Sequence, residues 1–265
     1  MLPKISIITV CYNAETLIER TIQSVLNQSY PNIEYIFIDG KSTDNTSQVI
    51  ETNTAKLPNE NHKIIIQSEP DNGIYDAMNK GLDLATGDYV WFINAGDEIY
   101  DPTTIEKLIP HFQKNADVIY GDTVHTDVSR QTLGLRKKRP PENFTWKSFR
   151  MGMTVCHQSI LVTRKIAPKY NLQYKICADI DWVIQAMKRA QVVCNSQQIL
   201  SRFLVGGFSQ QREKKAWKER FTIMRKHYGL LQTLVFHGFI IFRYILTLLS
   251  DKNFIVKFCH CNSIR

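Results

Sequence analysis

The chain has 265 residues, 43% hydrophobic and 22% charged, an ordinary globular composition long enough to bury a sizeable core. Its net charge of +8 is localised: residues 1–210 carry 22 Lys+Arg against 22 Asp+Glu, and 211–265 carry 11 against 3. A neutral body with a basic tail argues against an anionic substrate or nucleic acid for the whole protein, and directs the tail to an anionic surface.

Taken in chain order, residues 1–97 alternate strand and helix. Ile5–Val10 is an unbroken apolar run, too short for a signal sequence and followed directly by Tyr12-Asn13. Asn13 suits an N-cap for a helix over Ala14–Leu26, whose Ile18, Ile22, Val25 and Leu26 form one stripe. Ile33–Ile38 is a second buried strand, and Ser42, Thr43 and Asp44 can open a helix to about Thr52. The Asn- and Pro-rich stretch 53–62 reads as a surface loop, Ile64–Ile66 as a third strand, and Gly73–Leu84 as a helix. A fourth strand covers 89–93. Such runs do not alternate, so each strand is buried on both faces, the habit of a parallel sheet covered by helices.

Farther on, the spacing predicts a helix over Thr103–Gln113, a strand at Val118–Gly121, a basic loop at Arg136–Pro141 and a helix at Ala178–Arg189. No clean linker breaks this part, so 1–210 is expected to form one domain. Gln211–Tyr228 reads as a basic helix, and Leu230–Leu249 as an apolar helix after Gly229. On the latter, Gln232, Thr233, His237, Arg243, Thr247 and Asp251 fall within one arc of about 140°. The central His237 and Arg243 disfavour a transmembrane span and favour a helix lying in a membrane surface; the alternative is a helix packed on the domain or on a second subunit, as in a homo-oligomer. The six cysteines have no Cys-x-x-Cys spacing and suit a reduced, cytosolic setting. Cys259-His260-Cys261 has no second pair to complete a zinc site.

Three polar patches sit where strands end: Thr9 to Asn13, Asp39-Gly-Lys-Ser42 and Asn94-Ala-Gly-Asp97. In an open parallel sheet, ligands bind outside the carboxyl ends of the strands. Asp39 can accept from a nucleobase N–H there, with Ser42 toward ribose or phosphate, although it can equally serve the following helix. Asn94 and Asp97 offer oxygens of the kind that hold Mg²⁺ or Mn²⁺ against a diphosphate, or simply form a turn.

Ser6–Asn13, Ile38–Thr46, Asp71–Gly81 and Gly87–Asp97, in that order, resemble the signatures of family 2 glycosyltransferases, enzymes of the GT-A fold that use nucleotide sugars. The resemblance is strong over about 4–97 and looser over 150–210. The Ile-Tyr-Asp-Ala-Met-Asn-Lys-Gly and Asn-Ala-Gly-Asp forms resemble bacterial enzymes of exopolysaccharide or O-antigen assembly, such as colanic-acid transferases. The resemblance implies an α/β GT-A fold with a Rossmann-like, mostly parallel sheet flanked by helices, plus a helical tail. It divides the domain into a nucleotide-sugar half, 1–97, and an acceptor half, 98–210. Thr9, Tyr12 and Asn13 would line the base and ribose pocket, Asp39 would bind the base with Ser42 beside it, and Asn72, Gly73, Asn79 and Lys80 would border ribose and diphosphate. The family's Asp-x-Asp metal pair is Asn94 and Gly96 here, so Asn94 and Ala95 stay with the donor and Asp97 is left for Mn²⁺ or Mg²⁺. Lys175–Trp182 matches the segment of the catalytic base, Asp179, with Asp181 the alternative; both acids can also stabilise a helix N-terminus. His157, in Cys156-His-Gln158, faces phosphate or acceptor, or is a buried structural histidine.

The function so implied is inverting transfer of a sugar from a nucleotide-sugar donor, UDP by default, to a hydroxyl of a lipid-linked glycan in bacterial surface polysaccharide synthesis. The tail would hold the enzyme on the inner face of the cytoplasmic membrane. A dinucleotide oxidoreductase would need Gly-x-Gly-x-x-Gly after the first strand, where this chain has Cys-Tyr-Asn-Ala. A nucleotidylyltransferase would need a Gly-rich, Arg-containing loop there. A non-catalytic, nucleotide-binding membrane adaptor explains the tail but gives Asp39, Asp97 and Asp179 no task.

Overall fold

The computed structural model describes residues 2–55, 62–206 and 213–250, with side chains left aside at 213–214 and 243–250. The Cys259–Cys261 segment, Asp251 and the middle of the 53–62 loop lie outside the described residues. Four strands, β1 (Ile5–Cys11), β2 (Ile33–Asp39), β3 (Lys63–Ser68) and β4 (Tyr89–Phe92), pair in parallel in the order β3-β2-β1-β4. Helices α1 (Ile18–Leu26), α2 (Thr46–Thr54) and α3 (Ile74–Leu84) make the crossovers. β1 and β2 are buried along their whole length, as their unbroken apolar runs require. Gly81 is explained by contact: a Cβ there would sit 2.5 Å from Ile8 Cγ2, so its absence lets α3 lie close on the sheet.

Beyond β4 the sheet changes character. β5 (Glu98–Ile99), β6 (Val118–Thr126), β7 (Thr132–Leu135), β8 (Ile160–Thr163) and β9 (Val193–Leu204) extend it through mostly antiparallel pairs, with β6 and β9 parallel. One mixed sheet thus runs from Ile5 to Leu204. Two apolar clusters cover its faces, one around Ile7, Ile22 and Trp91, the other around Met78, Phe92 and Trp182.

Two expected helices differ. Asn13 does not cap a helix from Ala14: it is left-handed (φ 48°) and its Oδ1 accepts from the Thr43 amide at 2.9 Å, so α1 starts only at Ile18. Thr103–Gln113 is not one helix. A 3-10 turn, Glu106–Leu108, leads into α4 (Ile109–Gln113), because Pro110 lacks the N–H that a continuous helix would need. Helix α5 (Ala178–Arg189) forms as expected.

The basic helix α6 (Glu213–Tyr228) is no loose appendage, since Ile223, Met224 and Tyr228 join the cluster around Trp182. After Gly229, α7 (Leu230–Ser250) turns the expected polar arc partly inward. Thr233 and His237 are 1% and 7% exposed, and the His237 ring lies 5.1 Å from that of Phe221. Leu231, Leu234, Val235, Phe239 and Phe242 face outward, Leu231 by 76%. Among the described residues, no helix is long and apolar enough to cross a membrane.

Candidate active site

The carboxyl ends of β1, β2 and β4 lie side by side. Gly40 N donates to Cys11 O at 2.9 Å, and Ala95 N to Val10 O at 3.2 Å, so the three polar patches share one edge of the sheet. Tyr12 stands open there, 62% exposed. Asp39 is 1% exposed and sits in a serine nest: it accepts from the Ser42 and Ser68 hydroxyls, the latter at 2.6 Å, and from Ser47 at 3.3 Å. Ser42 Oγ also accepts from Asn13 N at 2.8 Å, tying the first patch to the second. Hydroxyls rotate, so this nest can exchange a serine for a ligand N–H without moving the backbone. Asp71, which the motif reading left without a task, places Oδ2 2.4 Å from where a Gly40 Cβ would be, against the Tyr12 ring. A side chain at Gly40 would force that carboxylate to shift. Gly73 (φ 112°) starts α3 with open space at its Cα, its N–H bound to Asp71 Oδ1. Asn72 is held by Asp76, whose carboxylate accepts from its amide N–H at 2.9 Å.

Several expected donor residues turn away from that edge. Thr9 is wholly buried, its hydroxyl given to Ile93 O at 2.6 Å, so it frames the sheet and not a base pocket. Asn79 spends both ends of its amide on the Tyr170 backbone, at 2.7 and 3.0 Å, and so anchors a loop rather than bordering a diphosphate. Lys80 binds Pro70 O and Glu69, each at 2.7 Å. His157 is buried among Phe92, Tyr170 and Trp182 with Nε2 on the Tyr170 hydroxyl at 2.8 Å. Burial pushes its pKa down to about 4, so it is a neutral structural histidine and not a phosphate ligand.

The Asn94–Asp97 turn was the expected cation site. Asp97 points inward instead, accepting from Leu204 N at 3.0 Å and Gln158 Nε2 at 2.8 Å. Burial raises its carboxyl to about 7. Arg20 holds the turn through two bonds to Gly96 O, at 2.6 and 3.0 Å. Asn94 Oδ1 is the oxygen left over, buried without a hydrogen-bond partner. Among the described residues, no group of three His, Cys, Asp or Glu side chains could hold a metal. An inward carboxylate and one neutral amide oxygen do not fit a resident divalent cation.

The two acids of α5 separate cleanly. Asp181 is fully buried, bonded to His227 Nε2 at 2.6 Å and Lys226 Nζ at 3.0 Å. Burial opposes its charge, but the His227 and Lys226 bonds outweigh it and hold the carboxyl below its ordinary range. It is a structural anchor with no oxygen to spare for a substrate. Asp179, two residues nearer the helix start, is partly exposed, and its pKa is pushed up to about 6, chiefly by burial. Asp179 and the loop before it are held from far along the chain. Tyr75 of α3 gives its hydroxyl to Ile176 O at 2.6 Å and lies 3.4 Å from Asp179 Oδ1. Glu219 of α6 accepts from the amides of Lys175, Ile176 and Cys177 at 2.8–3.0 Å. Neither partner carries a sequence signal, since each acts across a separation visible only in the fold.

The family model Glycosyl transferase family 2 matches residues 6–168. A PGL/p-HBAD biosynthesis glycosyltransferase of Mycobacterium tuberculosis is 29% identical over 197 residues, 72% of either chain. An uncharacterized glycosyltransferase of the same species is 31% identical over 224 residues, 81% of this chain and 80% of that one. Among solved structures, Staphylococcus aureus TarS 1–349 superposes with a TM-score of 0.65 at 19% identity over 84% of this chain, which spans 63% of that chain; it has also been solved with UDP-GlcNAc. A mannosyltransferase of Pyrobaculum calidifontis in complex with GDP-Man and Mn²⁺ gives 0.65 at 14% identity, over 91% of this chain and 70% of that one.

Proposed function

This chain belongs to glycosyl transferase family 2 and is a GT-A glycosyltransferase, and we propose that it inverts: an acceptor hydroxyl displaces a nucleoside diphosphate from the anomeric carbon of a sugar. The observation that carries the reading is Asp179, the partly exposed carboxyl near the start of α5 whose pKa lies near 6. At neutral pH it is ionised and able to take the acceptor's proton as the new glycosidic bond forms and the bond to the diphosphate breaks. Residues 1–97 would bind the donor, with Tyr12 on the base, the Asp39 nest on base and ribose, and Asn72, Gly73, Asn94 and Ala95 toward the sugar diphosphate; residues 98–210 would hold the acceptor. UDP-GlcNAc in TarS and GDP-Man in the archaeal enzyme support a nucleotide-sugar donor, UDP first. The Mn²⁺ of the archaeal complex supports Mn²⁺ or Mg²⁺ in such enzymes, but the inward Asp97 routes no step through a metal here.

We further read α7 as a membrane-surface helix, which places the enzyme on the inner face of the cytoplasmic membrane beside a lipid-linked glycan of bacterial surface polysaccharide synthesis. Its outward Leu231, Leu234 and Phe242 support this, as do Lys215, Lys218 and Arg225, exposed on the adjoining α6. Each such cation near anionic headgroups contributes about 1 kcal/mol. A thermal-shift screen of UDP-, GDP- and dTDP-sugars tests the donor: a ligand at about 100 times its dissociation constant adds about 2.7 kcal/mol. A chain unmoved by all of them is not the enzyme proposed. Co-sedimentation with phosphatidylglycerol vesicles tests the tail, with binding expected at low salt and lost on cutting after Gly229. Full-length protein that stays in the supernatant makes the apolar face a contact between two copies instead.

A further inference from the structure

Helix α5 carries the proposed base but does not cap itself. Cys177, at its N-cap, makes no side-chain cap bond, and Ile180, three residues on, cannot supply the carboxylate that a capping box places there. That carboxylate comes from another helix. Glu219 of α6, 9% exposed, accepts from Lys175 N at 2.9 Å, from Ile176 N at 2.8 Å and from Cys177 N at 3.0 Å. Three consecutive backbone donors thus end on one buried side chain. Ile176 and Cys177 are themselves buried, so without Glu219 their amides would be cut off from water with no acceptor, a costly state.

Two turns on, the same face of α6 grips α5 again: Lys226 Nζ donates to Asp181 Oδ1 at 3.0 Å, and His227 Nε2 bonds that oxygen at 2.6 Å. Asp179 stands between the two grips. Its Oδ1 accepts from Ile180 N at 2.9 Å and faces the Tyr75 hydroxyl at 3.4 Å, so the carboxyl goes where the start of α5 goes. Tyr75 in turn donates to Ile176 O at 2.6 Å, holding from α3 the loop that Glu219 holds from α6. In a helix whose charges are mostly basic, a buried acid is the exception, and the three amides account for it.

We infer that Glu219 is a positioning residue for sugar transfer: by fixing the amides of Lys175 to Cys177 it sets where α5 begins and holds the Asp179 carboxyl in reach of the acceptor hydroxyl. Both its oxygens are taken by backbone, so it acts through the loop and not on the reacting atoms. Helix α6 is then part of the catalytic unit as well as a proposed membrane contact. Its next residue, Arg220, draws the Asp179 pKa down against the larger effect of burial, so one helix sets both the place and the charge of the base. The inference rests on Asp179 as the base, and the experiment separates the two.

The experiment uses the full chain and the nucleotide sugar that most raises its melting temperature, with water as acceptor and release of the nucleoside diphosphate as the signal. Hydrogen exchange at the amides of Lys175 to Cys177 is followed by mass spectrometry on the same samples. Glu219→Gln should speed that exchange and lower kcat about 10- to 100-fold, the cost of a base displaced by about 1 Å, with donor affinity unchanged. Glu219→Asp keeps the charge one methylene short and should recover part of both; it carries the test if the Gln variant fails to fold. Combined with Asp179→Asn, Glu219→Gln should add little, because a base that is absent cannot be displaced. An equal further loss in that background makes Glu219 a general support and overturns the positioning role. So does wild-type kcat in a folded Glu219 variant whose loop amides exchange freely. Full turnover in Asp179→Asn alone instead removes Asp179 as the base, whatever the Glu219 variants do.

Discussion

Residues 1–97, the proposed donor half, and residues 98–210, the proposed acceptor half, satisfy their polar residues in different ways. In the donor half the partners are near in sequence or on the next strand: Asp39 with Ser42, Ser47 and Ser68, Asn13 with Thr43, Lys80 with Glu69. Each loop is finished by its neighbours and presents a preformed edge, as a pocket for a rigid nucleotide should. In residues 98–210 the proposed base and the loop before it are held by residues about 100 and 40 positions away, Tyr75 from α3 on Asp179 and Glu219 from α6 on the amides of Lys175 to Cys177. A site assembled from three distant segments can couple the start of α5 to whatever engages the tail, whereas the donor edge cannot. The comparison also separates substitutions that should affect chemistry from those that should affect folding.

The largest expected contrast lies within α5. Asp179→Asn should lower kcat by roughly 10²–10⁴-fold with donor affinity preserved, the usual contribution of a general base. Asp181→Asn should leave kcat of the folded enzyme within a few fold but lower its melting temperature, because Lys226 loses its buried counter-charge and His227 a short hydrogen bond. Steady-state kinetics beside thermal melts decide it. Full turnover in Asp179→Asn would remove the distinction between the two acids.

That contrast shows what the sequence could and could not disclose. The strands and crossovers of 1–97 were legible because β1, β2 and β4 are unbroken apolar runs with turn residues between them. β9 was not: Asn195, Ser196, Gln197 and Gln198 interrupt it, with Gln197 left-handed, and its pairing with β6 shifts register. Motif position offered Tyr12, Asp39 and Asp179 as candidates but could not say that Thr9, Asn79 and His157 turn into the frame. The same polar residue type serves a ligand or a loop, and only the direction of the side chain separates the two. Nor could helix periodicity show that Glu219 and Arg220 of a basic tail reach the start of α5.

Asp97 links the two halves through Gln158 and Leu204, and its raised pKa has a sign that can be checked. A carboxyl raised in the folded state favours folding while protonated. Its contribution is therefore full below about pH 4 and is lost as pH rises through about 7. An Asn at this position does not titrate. The stability of wild type relative to Asp97→Asn should accordingly fall between about pH 4 and 7, by up to about 4 kcal/mol for a shift of about three units. Urea unfolding at several pH values measures it. A difference that does not change with pH would mean that the carboxyl stays ionised in the fold.

Within the donor half, Gly81→Ala should cost about 1–3 kcal/mol, because the new methyl meets Ile8 Cγ2 at 2.5 Å and α3 must lift from the sheet. Nucleotide affinity should survive at temperatures where the fold persists, since the donor edge lies at the other end of that helix. A variant as stable as wild type would show that α3 shifts freely, and with it Tyr75.

The smallest effect should come from Tyr75→Phe, and it bears most directly on the coupling between the halves. The Tyr75 hydroxyl bonds Ile176 O and approaches Asp179, and that contact lowers the Asp179 pKa against the larger effect of burial. Removing the hydroxyl should move the Asp179 pKa further up. With Asp179 as the proposed base acting in its ionised form, kcat/KM should fall as pH drops through about 6 in the wild type. In Tyr75→Phe that acid limb should move to higher pH by a fraction of a unit, with the plateau at high pH little changed. Loss of a merely structural bond would lower the plateau instead and leave the limb in place. The pH profile of kcat/KM therefore tells whether α3 of the donor half tunes the base or only props up the loop before it.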